Sequence, residues 1–296
     1  EEAYSFDGGS TWQKGNTKSY GSNTTVKVRV RDIAGNIYEH KDVVINRIDK
    51  DKPVLESSLE PSGWTNGKVS IKVHGKDNTS NIVGYQCGSE NKVNENNWVE
   101  IKGEKEIDIT EETDTNGTMY CFMKDEAGNV SDAKEIVINN IDKEKPTIDV
   151  NPESSKVAKE VNVTITAKDT GGSNLASNNS YQYYLSTSST ALSGGQWTNY
   201  TPGSAFKLGT GKTGTYYLFV KTIKDNAGNV SNGNQSVSGT NYHRYGTYIF
   251  LNETPTCTIS GNPTNWTNKD VTLTVNSTSQ QLHSSPYSWT SSTSGF

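Results

Sequence analysis

The pentapeptide Asp-x-Ala-Gly-Asn occurs three times, as Asp32–Asn36, Asp125–Asn129 and Asp225–Asn229. A strand-like run precedes each copy: Val26-Lys27-Val28-Arg29-Val30, Met119-Tyr120-Cys121-Phe122-Met123 and Tyr216-Tyr217-Leu218-Phe219-Val220. Another follows each: Val43-Val44-Ile45, Ile136-Val137-Ile138 and Tyr248-Ile249-Phe250. Two such runs around a Gly-containing turn predict a β-hairpin. The Asp can accept backbone N–H groups across the turn, and the Gly can take the positive φ that the turn needs. The copies recur at about one hundred residues, so the chain is a tandem array of one β module.

A second marker sets the boundaries. Ile48-Asp49-Lys50-Asp51-Lys52-Pro53 recurs as Ile141-Asp142-Lys143-Glu144-Lys145-Pro146 and, degenerately, as Leu251-Asn252-Glu253-Thr254-Pro255. A Pro opening a strand after a short charged link is a domain joint. The chain then divides into a partial repeat (1–50), two whole repeats (51–143 and 144–253) and a second partial repeat (254–296). Within a repeat, Val69, Ile71 and Val73 alternate with polar residues, as do Val161, Val163 and Ile165, and Val271, Leu273 and Val275. Period two predicts strands with one buried and one wet face. An aromatic strand follows (Tyr4-Ser5-Phe6, Tyr85-Gln86-Cys87, Tyr181-Gln182-Tyr183, Tyr287-Ser288-Trp289), then Trp12, Trp98 or Trp197. No helical period is present. Six or seven short strands per repeat predict an all-β fold of antiparallel sandwiches, with loop insertions in the third repeat around 187–195 and 233–246.

Composition narrows the function classes. The net charge of −5 is spread along the chain, which argues against a nucleic-acid partner. No apolar run approaches the roughly 20 residues of a membrane helix, so this segment is not expected to insert in a membrane. The four His are isolated, and no zinc spacing, nucleophile elbow or phosphate-binding Gly loop is present, so an enzyme is not expected.

Tyr4-Ser5-Phe6-Asp7-Gly8-Gly9-Ser10-Thr11-Trp12, the Asp-x-Ala-Gly-Asn turn and the Ile-Asp-Lys-x-Lys-Pro joint together resemble the bacterial Ig-like repeats of large cell-surface and adhesin proteins. The resemblance spans the chain and implies immunoglobulin-like sandwiches, an extracellular, cell-surface or cell-wall location, and a role as stalk or spacer in cell adhesion. Neighbouring repeats of the same chain are then the first partners. Two departures stand out: Val157 replaces the Trp that opens the equivalent strand elsewhere, and Asn252 replaces the joint Asp.

The same resemblance implies calcium at the joints. The matching residues are Asp32, Asp49 and Asp51 at the first joint, and Asp125, Asp142 and Glu144 at the second; Asp77 and Asp169 begin loops at equivalent positions. Clustered carboxylates suit a cation that takes six to eight oxygens. The alternative is that each turn Asp caps its own turn and Lys50 and Lys52 neutralise the link. Cys87 and Cys121 fall in one repeat on two core strands, where a disulfide between facing strands and two small buried hydrophobes are both open. The insertion residues Tyr242, His243, Arg244 and Tyr245 are candidates for contact with a host glycan or protein. An accessory region of a secreted glycoside hydrolase is a further reading.

Overall fold

The structure, a computed structural model, describes residues 2–192 and 197–277. The aromatic run Tyr287-Ser288-Trp289, most of the last partial repeat's second half and residues 193–196 of the third repeat's insertion lie outside the described residues. The chain is nearly all β. It forms two compact units, Glu1–Lys143 with Asn226–Gly228, and Glu144–Asp225 with Asn229–Phe296.

The first unit begins with five short strands: β1 (Tyr4–Ser5), β2 (Thr24–Val26), β3 (Arg29–Arg31), β4 (Ile37–Glu39) and β5 (Val43–Ile45). They make a three-stranded sheet in the order β1-β3-β4 and a two-stranded sheet β2-β5. The run Val26–Val30, expected as one strand, is therefore split: Val26 ends a strand of one sheet and Val30 lies in the other. Asp7 seals the first Gly-Gly turn, because its carboxylate accepts Thr11 N–H at 2.9 Å and the Thr11 hydroxyl at 2.5 Å.

Seven further strands follow: β6 (Val54–Glu60), β7 (Val69–Lys76), β8 (Ile82–Gly88), β9 (Val99–Glu104), β10 (Glu106–Thr113), β11 (Gly117–Asp125) and β12 (Lys134–Ile138). They form two antiparallel sheets, in the orders β10-β7-β6 and β12-β11-β8-β9. Val69, Ile71 and Val73 of β7 are fully buried, and they meet Ile82, Cys121, Met123, Ile136 and Ile138 of the other sheet in one cluster. Each such aliphatic side chain contributes about 1.5–3 kcal/mol by leaving water. Between them on β7, Lys72, His74 and Lys76 face outward and pair with Glu60, Asp108 and Glu106. The alternation read from the sequence is thus one inward apolar face and one outward charged face. Cys87 and Cys121 are directly opposite in the β8–β11 register, and a disulfide joins them. The bridge links neighbouring strands of one sheet rather than the two sheets.

The second unit contains β13 (Thr147–Asn151), β14 (Val161–Lys168), β15 (Gln182–Ser186), β16 (Thr198–Asn199), β17 (Ala205–Leu208), β18 (Gly214–Lys221), β19 (Gln235–Val237), β20 (Thr240–Phe250), β21 (Cys257–Ser260) and β22 (Thr274–Ser277). Sheets β13-β14-β17 and β16-β15-β18-β20-β19 enclose a second core of Val163, Ile165, Leu208, Leu218, Val220, Tyr248 and Phe250. Two tyrosine hydroxyls at this core are satisfied by backbone: Tyr245 donates to the Ile148 carbonyl and Tyr248 to that of Pro152, each at 2.6 Å, whereas the buried Tyr200 hydroxyl has no partner. Among the described residues, strands β21 and β22 pair only with each other, and Cys257 is exposed.

The disulfide closes a loop between residues 34 positions apart, which in the chain-entropy account stabilises the fold by about 3–4 kcal/mol. The double substitution Cys87→Ala and Cys121→Ala should lower the unfolding free energy of the first unit by roughly that amount. Urea titration followed by tryptophan fluorescence checks it.

Candidate metal centre

All three Asp-x-Ala-Gly-Asn segments form the same turn. Asp32 Oδ1 accepts Asn36 N–H at 2.8 Å, and Asp32 Oδ2 accepts Asn36 Nδ2 at 2.8 Å. Asp125 and Asp225 repeat both bonds to Asn129 and Asn229 at 2.7–2.8 Å. Gly35, Gly128 and Gly228 have φ of 86°, 89° and 93°, which a side chain would strain. The Asn side-chain bond, followed by the Asn backbone N–H, holds the exposed Asp32 carboxyl below its usual range. Turn capping is therefore one role of this Asp in every copy.

A second role separates the copies. Carboxylate oxygens of Asp49, Asp77 and Asp125 all lie within 4.8 Å of one another. Asp125 closes β11, Asp77 follows β7, and Asp49 comes from the link that precedes this repeat. Asp77 is 3% exposed and Asp125 2%. Asp77 Oδ1 accepts the N–H groups of Thr79 and Ser80 at 2.8 and 2.9 Å, while its Oδ2 is buried with no partner. Asp49 Oδ1 accepts Asp51 N–H at 2.9 Å, and its Oδ2 is likewise buried and unpartnered. Among the described residues no Lys or Arg pairs with these three carboxylates; Lys52, a candidate neutraliser, pairs with Asp132 at 2.8 Å.

This arrangement fits a hard divalent cation. Oxygens bonded to Ca²⁺ at about 2.4 Å can be no more than about 4.8 Å apart, and three carboxylates offer up to six oxygens. Two of those oxygens are the buried, unsatisfied ones, each costing about 1–3 kcal/mol while it lacks a partner. The cluster differs from the joint read in the sequence. Among the described residues Asp32 is in no carboxylate group with Asp49 and Asp51, and Asp125 groups with Asp49 and Asp77. The reason is topological: after the turn the chain runs back along an antiparallel strand, so the next link leaves from the opposite end of the module. The Asp125 turn therefore meets the link that precedes its own repeat. Asp51 is exposed and accepts the Thr79 hydroxyl at 3.2 Å. Glu144 is exposed. Asp142 is buried, and its N–H donates to the Thr65 carbonyl at 2.9 Å.

In the second unit, Asp169 and Asp225 each bring a carboxylate oxygen to within 4.8 Å of the other. They are the counterparts of Asp77 and Asp125, and Asp169 Oδ1 is buried without a partner. Asn252, at the third joint, spends its amide as a donor to the Lys159 carbonyl at 3.1 Å, a bond a carboxylate cannot make.

The four contact candidates of the third repeat are not loop residues. Tyr242, His243, Arg244 and Tyr245 lie in β20, opposite Lys221, Val220, Phe219 and Leu218 of β18. Each is engaged. Tyr242 stacks on Trp197 with centroids 5.3 Å apart, and Lys221 also lies over that indole at 5.1 Å. Arg244 covers Tyr217, and Tyr245 is hydrogen-bonded in the core. His243 is buried, with Nε2 2.8 Å from the Ser231 hydroxyl. Cations also lie over the other two repeated tryptophans, Arg31 on Trp12 and Lys124 on Trp98. The recurring Trp is a clamped structural residue.

No protein-family model matches the chain, and no curated protein does. Among the described residues no helix is long and apolar enough to cross a membrane.

Burial pushes the His243 imidazole down from 6.5, opposed in part by Asp149. Its stabilising neutral form is complete above about pH 6.5; on acidification the unfolded chain takes up the proton first, and stability falls. Denaturant melts from pH 7.5 to 5 should show this loss, and His243→Gln should flatten it.

Proposed function

We propose that this chain is a non-catalytic spacer segment of a bacterial cell-surface or secreted adhesin-like protein. It is built from tandem immunoglobulin-like sandwiches and stiffened by calcium where a link meets the repeat that follows. The observation that carries this reading is the convergence of the link residue Asp49 with Asp77 and Asp125, two of the three presenting a buried oxygen with no partner. A structural role for the repeat alone would be served by the turn bonds to Asn129. Nothing in those bonds requires a carboxylate from the link to be brought to the same point, against its charge.

The mechanism is mechanical. The link is already held by weak contacts: Asn129 Nδ2 to the Asp49 carbonyl at 3.4 Å, Thr79 to Asp51, and the exposed Lys52–Asp132 pair. An exposed ion pair of this kind contributes about 0–1 kcal/mol. An ion bonded to Asp49 as well as to Asp77 and Asp125 would convert this loose seat into a fixed one. Calcium is favoured over magnesium because flexible, carboxylate-rich oxygen sets suit the larger ion, whereas magnesium keeps its waters.

Calorimetric titration of Ca²⁺ into the chelator-stripped chain tests the reading. Saturable binding is expected, lost in Asp125→Ala and weakened at least tenfold in Asp49→Ala, with small-angle scattering showing a narrower distribution of dimensions when calcium is present. Absence of binding would leave the three carboxylates as turn and link caps, and the spacer without a metal.

A further inference from the structure

The outer face of the disulfide-bearing sheet contains a second built site, unrelated to the carboxylates. The β8–β11 register places Gln86 opposite Phe122 and Gly88 opposite Tyr120. These four residues alternate with Tyr85, Cys87, Cys121 and Met123, which pack on the core, so all four share the outward face. In the second unit the corresponding face is filled. There Tyr184 lies opposite Phe219, Trp197 packs on Tyr184 at 5.8 Å, and Tyr242 meets Phe219 edge-on at 6.5 Å. In the first unit the face is hollow. A Cβ added at Gly88 would meet nothing within 4 Å, and a cavity of about 450 Å³ opens over Gln86, Tyr120 and Phe122. That volume falls within the roughly 300–1,000 Å³ typical of small-molecule sites.

The polar groups of the cavity define what it takes. Gln86 is only 6% exposed, which is unusual for an amide on an outward sheet face. Its Oε1 accepts the Asn94 N–H at 2.9 Å, so the amide cannot flip without losing that bond. Its Nε2 is left buried with no acceptor. At the rim, Glu90 and Lys92 pair with each other at 3.1 Å, so the opening carries hydroxyl-binding groups but no net charge. An aromatic floor, an unsatisfied amide donor and a charge-balanced polar rim match a ring with one apolar face and several hydroxyl oxygens. We propose that this cavity is a binding site for a neutral saccharide unit, with its ring against Phe122 and Tyr120 and a hydroxyl or ring oxygen accepting from Gln86 Nε2.

The test is an amide-shift titration of the whole ¹⁵N-labelled chain with lactose, cellobiose, maltose and N,N′-diacetylchitobiose, and with sialyllactose as the acidic comparison. At least one neutral sugar should saturate the shifts of the Gln86 side-chain amide and of residues 86–97. Sialyllactose should bind no better than lactose. Gly88→Tyr puts a ring into the hollow from a position where an added Cβ meets no atom within 4 Å, and Gln86→Leu removes the donor at similar volume; each should weaken binding at least tenfold while the rest of the spectrum stays in place. Two results would overturn the proposal: no shift with any of the four neutral sugars, or a sugar that binds both variants as tightly as the parent chain.

Discussion

The antiparallel pairing of β8 with β11 decides which side chains enter the core, which line the outer face, and where the Asp125 turn begins. With Cys87 opposite Cys121, the strands send Tyr85, Cys87, Cys121 and Met123 to the core and Gln86, Gly88, Tyr120 and Phe122 to the outer face. A slip of one residue would reverse both sets. The disulfide holds this register covalently. The same pairing ends at Asp125, four residues past Cys121, so the turn carboxylate reaches the end of the sandwich beside the Asp77 loop. Core face, cavity face and the Asp125 carboxylate all follow from one register.

The carboxylate cluster shows what the fold tolerates at that end. Three like charges within 4.8 Å, two of them nearly buried, repel one another and lose hydration. Local bonds offset part of the cost: two backbone N–H groups on Asp77, one on Asp49, and the Asn129 pair on Asp125. They do not reach the two unpartnered oxygens. A hard cation would satisfy those oxygens and cancel most of the charge together. The outer face of β7 is the contrast, because there Lys72, His74 and Lys76 pair with the exposed acids Glu60, Asp108 and Glu106.

Much of this was legible in the sequence, and the failures have physical causes. Alternation at Val69, Ile71 and Val73 identified a strand with one buried face, and the threefold Asp-x-Ala-Gly-Asn identified the turn. The equivalence of Asp77 and Asp169 marked both as loop openings. What the sequence did not carry was direction: nothing in Asp32 or Asp49 says that an antiparallel strand takes the next link to the far end of the module. The extra length of the third repeat around 233–246 made Tyr242–Tyr245 look like an inserted loop, when their pairing with β18 makes them a strand. Gln86 was invisible because Tyr-Gln-Cys reads as an ordinary strand; only burial of its amide sets it apart.

The claim that the Asp49–Asp77–Asp125 cluster is a cation site rather than a set of caps is tested most directly by thermal unfolding of Asp77→Asn, in chelator and in excess calcium. The Asn oxygen can keep the two N–H bonds of Asp77, and its Nδ2 would replace the unpartnered Oδ2 with a donor facing the other carboxylates. The account predicts opposite signs: the variant melts above the parent chain in chelator, where repulsion is relieved, and below it in calcium, where a ligand is lost. A shift of the same sign and size in both conditions would contradict it.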